Sequence, residues 1–341
     1  MRNPLRVGVD QFLRATPLTL LLLGVSVALL DFVTLYVASD KEGVLRIPQG
    51  VGFLQDYGLL STIVGDVILI YLVRRYYDAI CSARTSKAVK DPAQIDEPIT
   101  RLTSMMRMDR RYRQLMYLVV VIGTAFWMSN LGFHLFGNPE THWGHKVFDS
   151  KDHVLTFIAS RVHNVYTWSL VVPFAVYGLV FCSVQLQRVF ASAVHAGSLK
   201  YDLLNPDQRG GFSFVDKSQL FFNLVISMFY VQIVLHIGTF ERMNIEHYLS
   251  IAVATLLLIF GNRIFLGNIY TTINILKVEA LNAIKDNVYE NDKLSFEILK
   301  YCYERRINRY SLWNILTKSI AVVVSAGTKL YPLLEKAITR S

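Results

Sequence analysis

The sequence predicts an all-α membrane protein with six transmembrane helices and a helical cytoplasmic region. Of its 341 residues, 52% are hydrophobic and 18% are charged. The apolar residues stand in runs of about 20, the length that a helix needs to cross the ~30 Å hydrocarbon core of a bilayer. This distribution excludes a disordered chain and a disulfide-stapled secreted module.

Six runs meet the length requirement. The first opens with Thr16 and Pro17, an N-cap residue followed by the helix position that best accepts proline. The second ends at Arg74, the third contains no charged residue, the fourth carries Pro173, and the sixth contains Arg263. The six predicted spans are residues 17–38, 54–73, 115–136, 165–184, 220–237 and 249–266.

Lysine and arginine predict the orientation of these spans. With a cytoplasmic N-terminus, 28 of the 35 basic residues lie in inner segments and six in outer segments. Basic residues accumulate on the cytoplasmic side during insertion, so both termini are expected in the cytoplasm. The predicted location is a cell membrane, a bacterial inner membrane, and the lipid bilayer is the expected partner. The net charge of +9 is thereby explained, and no direct nucleic-acid binding is expected.

This topology divides the chain into six segments. In the last one, residues 311–340 place aliphatic side chains at helical spacing among lysines, a pattern typical of a basic amphipathic helix on the inner leaflet or against a partner subunit. In the cytoplasmic loop over residues 185–219, Gly210 and Gly211 permit close backbone approach to a ligand or to a neighbouring helix. The segments are spans one and two (1–73), a basic helical linker (74–114), spans three and four (115–184), a cytoplasmic loop (185–219), spans five and six (220–266) and cytoplasmic C-terminal helices (267–341).

Three charged residues lie inside the predicted spans: Asp31, Asp66 and Arg263. Each costs at least ~2.5–3.5 kcal/mol at the bilayer centre unless it finds a partner or water. Asp66 and Arg263 have matching expected depths, which favours either a buried ion pair or a pore-lining role. Asp31 has no basic span residue at its depth, so it is either protonated and hydrogen-bonded or part of an acidic ring. The two aspartates are expected in opposite halves of the bilayer, too far apart to share a proton.

Seven of the eight histidines map to the outer side of this topology. His142, His145 and His153 could hold zinc or copper, but their spacing matches no established site, and loop histidines are usually just solvated. Haem would need two histidines at one depth, for which only His134 and His236 qualify. We therefore expect no resident cofactor.

Arginines cluster at the start of the third span and again near the C-terminus. They favour either an interfacial anchor on anionic lipid or a cytoplasmic pocket for an anionic ligand such as a nucleotide, since arginine binds phosphate with two hydrogen bonds. The residues are Arg107, Arg110, Arg111, Arg113, Arg305, Arg306 and Arg309.

The sparse polar residues of the spans favour a homo-oligomeric channel that is gated or assembled through its cytoplasmic region. One alternative is a secondary transporter with a midplane site at Asp66 and Arg263. Another is a membrane-anchored sensor that recruits a partner. Hydrolase, zincin and intramembrane-protease motifs are absent from the sequence, so we do not expect an enzyme. The predicted pore or ion path comprises Asp31, Asp66, Asn223, Gln232 and Arg263.

Overall fold

The computed structural model confirms the all-α class. The residues that it describes contain no β-strand, and their only strand-like pairings are isolated β-bridges between Val51 and His142 and between Val89 and Leu199. The described residues are 14–48, 50–107, 109–128, 142–149, 152–203, 205, 209–238, 245–288 and 297.

The described part of the chain is mainly a succession of helices. A π-helical segment, Val165–Val171, joins two of them, so that the chain is continuously helical over Val154–His195. In order, the α-helices are α1 (Pro17–Lys41), α2 (Tyr57–Cys81), α3 (Ala93–Met106), α4 (Arg110–Met128), α5 (Trp143–Asp149), α6 (Val154–Asn164), α7 (Val172–His195), α8 (Ser213–Gly238) and α9 (Ile245–Val288).

Among the described residues, four helical stretches are long and apolar enough to cross a membrane: Pro17–Lys41, Tyr57–Thr85, Val154–His195 and Ser213–Leu235. They coincide with the first, second, fourth and fifth predicted spans, and they are compatible with membrane localisation. The third predicted span overlaps α4 and continues into residues outside the described ones. The sixth overlaps α9, whose shorter apolar stretch is Ile251–Gly261. These two spans stay predictions.

The fourth span begins earlier than the sequence predicts. Its helix starts at Val154 rather than at residue 165. The predicted start is later because the intervening turns carry Arg161 and His163, and hydropathy assigns these two residues to an outer loop. Both side chains are buried. These two polar residues therefore belong to the interior of the helical bundle.

Helix α2 lies at the centre of the bundle, in contact with α1, α7 and α8. Leu69, Val73, Tyr76 and Ile80 on one face of α2 are fully buried in the main hydrophobic core. A side chain at Gly178 on α7 would collide with Val73, so this glycine allows the two helices to pack closely. The centre of the fold is therefore built around α2.

Helix α3 packs against α7 at the end of the bundle where α2 and α7 terminate. Its buried residues Ile95, Ile99, Leu102 and Met106 follow the helical repeat of an amphipathic helix. The sequence predicts a turn over residues 91–98 and one basic helix over 100–113. The structure instead begins α3 at Ala93, ends it at Met106 and starts α4 at Arg110, because the apolar face of α3 is buried on the core.

The loop before α8 closes the same end of the bundle. Gly210 and Gly211 have φ values of 63° and 93°, in the left-handed region that favours glycine. A Cβ atom at Gly211 would lie 2.5 Å from the backbone nitrogen of Ala88, and the Ser86 hydroxyl donates to the Gly211 carbonyl. The two glycines thus allow one backbone segment to approach another closely.

Gly211→Ala tests this approach, with Gly43→Ala as its matched control. Gly43 also has a positive φ, 70°, but its Cβ position is open. We expect Gly43→Ala to cost about 1–2 kcal/mol through backbone strain alone, and Gly211→Ala about 2–5 kcal/mol because a steric clash is added. The measurement is the shift of unfolding midpoints in detergent. Equal shifts for the two variants would contradict the close packing at Gly211.

At the opposite end of the bundle, Glu42 caps α6. Its two carboxylate oxygens accept hydrogen bonds from the backbone nitrogens of Leu155 (2.8 Å) and Thr156 (3.0 Å). Burial opposes ionisation of Glu42, but the hydrogen bonds from Thr156 and Leu155 and the nearby His153 outweigh it, so the pKa of Glu42 lies below its ordinary value. Glu42 therefore joins the end of α1 to the start of α6 in its charged form.

Glu42→Gln is expected to destabilise the fold by about 1 kcal/mol at neutral pH. Because folding lowers the pKa, the contribution of Glu42 is present above the ordinary glutamate pKa and is lost as the pH falls through the folded-state value. Thermal unfolding across an acidic pH series should show the wild-type and Glu42→Gln midpoints converging at low pH. The exposed neighbour Asp40 provides the control: Asp40→Asn should follow the wild-type curve.

Candidate functional site

Buried polar side chains meet where α1, α2 and the junction of α6 with the π segment pack together. Helix α1 contributes Asp31, α2 contributes Thr62 and Asp66, and the α6 junction contributes His163 and Thr167. Thr62 and Asp66 are four residues apart, and so are His163 and Thr167. This spacing places both members of a pair on one helix face. We call these five residues the polar network.

Asp31 and His163 form a short contact in the polar network. The Oδ2 atom of Asp31 lies 2.6 Å from Nδ1 of His163, and their side chains are 15% and 1% exposed, respectively. The sequence argument that no basic residue lies at the depth of Asp31 is therefore wrong. It fails because His163 is assigned there to an outer loop, whereas the structure places it inside a long helix.

Thr62 binds the other nitrogen of the imidazole. Its Oγ1 lies 3.3 Å from Nε2 of His163 and 2.7 Å from the carbonyl oxygen of Leu59. A hydroxyl has one hydrogen. When Thr62 donates it to Leu59, it accepts from a protonated Nε2; when it turns towards Nε2, the imidazole is neutral. Rotation of one hydroxyl thus accommodates both protonation states of His163.

Asp66 receives a hydrogen bond of 2.6 Å from the Thr167 hydroxyl. The Asp66 side chain is buried, and its Oδ1 atom has no hydrogen-bond partner among the described residues. The side chain of Arg263 lies outside the described residues, so the predicted pair between Asp66 and Arg263 stays a prediction. The second carboxylate of the network thus has one oxygen available for a proton.

The two aspartates lie closer together than the sequence suggests. Asp31 contacts His163 and Asp66 contacts Thr167, four residues further on, which is about 6 Å along the helix axis. The depth estimate fails because it treats Arg74 as the end of the second span, whereas α2 continues to Cys81. Asp66 consequently lies in the first half of α2, whereas it falls in the second half of the predicted span.

Thr167 lies within the π segment Val165–Val171. A π-helical turn inserts one residue into the regular helix and is found frequently at functional sites. Here the π segment lies between His163 and Pro173, and Pro173 lies in the first turn of α7. The irregular backbone thus coincides with the polar network.

Open space lies on two sides of the polar network. A groove of about 720 Å³ between α1 and α6 is lined by Asp31 and Tyr166. A second cavity, of about 520 Å³, is lined by Thr62 and Gln232. The polar network therefore extends from one space, at Asp31, to the other, at Thr62.

Two further residues of the predicted ion path lie on α8. Asn223 and Gln232 are both buried. The amide of Gln232 lies against Gly65, where a side chain would collide with it, so Gln232 packs beside the residue that precedes Asp66. Asn223 lies about 14 Å from Gln232 along the axis of α8. Of these two residues, Gln232 is therefore the one that the structure brings to the polar network.

The outer histidines of the metal hypothesis contact different carboxylates. Nε2 of His142 lies 3.2 Å from Asp56, and Nδ1 of His153 lies 4.0 Å from Glu42. The side chain of His145 lies outside the described residues. In the part of the chain that the structure describes, no three His, Cys, Asp or Glu side chains gather as metal ligands would.

The arginine clusters are only partly described. Arg107, Arg110 and Arg111 are exposed and Arg113 is half-buried, as either an anchor on lipid or an anionic-ligand site requires. The second cluster, Arg305, Arg306 and Arg309, lies outside the described residues. Both hypotheses for these residues stay predictions.

Sequence reasoning missed Thr62, His163 and Thr167. The signal that could have identified them is the four-residue spacing that each shares with a polar neighbour in an apolar helix. Comparison of the chain with protein-family models, curated proteins and solved structures gave no match.

Thr167→Val tests the contact with Asp66. Valine keeps the shape of the side chain but leaves the buried carboxylate without its donor, so we expect a loss of about 1–3 kcal/mol in unfolding free energy. In an Asp66→Leu background the same substitution should cost much less, because no carboxylate remains. Thr271→Val, at an exposed position on α9, is the control and should be nearly neutral. Equal costs in both backgrounds would show that Thr167 acts only through packing.

Proposed function

We propose that the chain is a membrane transport protein whose transported or coupling ion is the proton, bound at Asp31 and His163. The observation that carries this proposal is the 2.6 Å contact between these side chains within a pair of helices long and apolar enough to span a bilayer. Ionisable residues in such positions are expensive, and chains of aspartate and histidine are a recurrent means of moving protons across membranes.

A static ion pair is the structural alternative. Replacing a buried ion pair by apolar residues is often neutral or stabilising, so such a pair is weak evidence for a role in stability. Two features favour proton exchange instead: the Thr62 hydroxyl matches either protonation state of His163, and Asp66 offers a further proton-accepting oxygen about one helical turn away. Neither feature is needed for a fixed pair.

Access to the pair also supports transport. Asp31 lines the groove between α1 and α6, whereas Thr62 lines the cavity on the other side of the network. Asp31 is thus reachable from the groove, as a site that exchanges its proton must be. Cytoplasmic termini and a bacterial inner membrane belong to this proposal, and the distribution of basic residues supports the orientation of the termini.

A homo-oligomeric channel is the second candidate. It is favoured by α1, of which only 11% of the most apolar window is buried, leaving a broad apolar face for lipid or for another copy of the chain. In such an assembly Asp31 would be repeated around the axis. A sensor function has no such support, because it depends on a C-terminal segment that lies mostly outside the described residues.

Proton flux into liposomes tests the leading proposal. Purified protein is reconstituted with a pH-sensitive dye inside, and a potassium diffusion potential drives protons inward. We expect wild-type protein to acidify the lumen, and Asp31→Asn and His163→Gln to reduce the rate to that of empty liposomes. Asp96→Asn removes an exposed carboxylate that pairs with Arg84 and should behave as wild type.

The same preparations separate the candidates. Folded Asp31→Asn and His163→Gln proteins that carry protons at the wild-type rate would show that the pair is structural. A wild-type conductance for other cations, together with a symmetric oligomer, would select the channel. Thermal unfolding of each variant confirms that loss of flux does not reflect loss of fold.

A further inference from the structure

The 520 Å³ cavity beside the polar network has the size and lining of a ligand site. It lies between α2, α7, α8 and α9, and its volume falls in the range of about 300–1,000 Å³ that small-molecule pockets occupy. Its walls are aliphatic and aromatic side chains, and its polar groups are those of Thr62 and Gln232 together with the indole of Trp168 and the hydroxyl of Tyr230. Among the described residues that line it, none is charged.

Gln232 is the feature that points to a ligand. Its side chain is only 5% exposed, and its Nε2 atom has no hydrogen-bond partner among the residues that the structure describes. Buried amides are nearly always paired, because an unpaired one is costly. Gly65 gives this amide room beside α2. A ligand that carries a hydrogen-bonding group would satisfy it.

The cavity opens towards the lateral surface of the helices. Val176 and Val180 of α7 and Leu249 and Val253 of α9 line it and are themselves exposed. In a membrane this surface faces lipid, so the ligand enters from the apolar phase. A charged or strongly polar molecule would have no favourable path.

We propose that this cavity binds a small uncharged amphiphile, with its apolar body among the aliphatic side chains and one hydroxyl or amide group at Gln232 and Thr62. A lipid acyl chain fits less well, since it would leave the Gln232 amide unpaired. Because Thr62 also contacts His163, the bound molecule lies beside the proton site. Binding stands independently of the proposed function, but a role as the molecule moved with the proton rests on it.

Photolabelling of the full-length protein with a diazirine-bearing octanol tests the proposal. We expect saturable labelling of residues on α7 and α9 that line the cavity, competed by octanol but not by octane, because only the alcohol can bind the amide. Gln232→Leu should raise the half-saturating concentration roughly 2- to 12-fold, the loss of one hydrogen bond. This variant removes an unpaired buried group and is expected to fold.

Two substitutions on α9 control for effects of the helix surface. Ala254→Phe fills the cavity that Ala254 lines and should abolish the saturable labelling. Leu256→Phe adds the same ring at an exposed position and should leave it unchanged. The competition between octanol and octane on wild-type protein needs no variant, so the proposal is tested even where a variant is unstable.

Several results would overturn the proposal. They are unsaturable labelling spread over the exposed helix faces, equal competition by octane, and unchanged affinity in Gln232→Leu. Labelling of the same residues by a phosphatidylcholine with a diazirine in its acyl chain, without competition from octanol, would assign the cavity to a lipid tail. Proton flux without added alcohol is measured separately: specific labelling without flux rejects only the proposed function, and flux without specific labelling rejects only the cavity inference.

Discussion

The contact between Asp31 and His163 joins α1 to α6 within the apolar part of the bundle. In water, the apolar face of α1 would be enough to hold the helix to its neighbours. In a bilayer it is not, because lipid tails are as apolar as the helix surface and packing has to be decided by van der Waals fit and polar contacts. Helix α1 is mostly exposed, so Asp31 near its middle and Glu42 just beyond its end provide the attachment to α6.

The neighbouring helices are shaped by the same polar contacts. Helix α6 carries Arg161 and His163 into the interior, and the π segment that follows brings Thr167 to Asp66. Glycine at position 65 lets Gln232 approach the same turn of α2. These departures from a regular apolar helix lie around Asp66. Strain and polarity are expected at such a place when a membrane bundle contains a functional site.

The sequence predicts the fold better than the site. Four of the spans follow from hydropathy, because runs of aliphatic residues have few alternatives to a membrane helix. The site depends on which polar residues face one another, and that depends on helix ends and on packing. Assigning His163 to a loop removes the partner of Asp31, and ending the second span at Arg74 separates the two carboxylates. Asp31 and Asp66 can be identified because charge in an apolar run is visible. Thr62 and Thr167 are harder to identify, because threonine is common in such helices and only their spacing from Asp66 and His163 marks them.

Asp31 lies on α1, the least buried of the helices that carry the polar network, and this has a consequence for the proposed function. Protonation of Asp31 removes its negative charge and weakens its attraction to His163, while Glu42 keeps the end of α1 attached to α6. Of the helices that carry the polar network, α1 is the most exposed, so in the proposed function its position would respond most directly to the proton. The groove between α1 and α6 would widen or close with that movement, whereas the cavity at Thr62 lies between α2, α7, α8 and α9 and does not border α1. Protonation would therefore act first on the space beside Asp31, which is the coupling between proton and conformation that a proton-driven transporter needs.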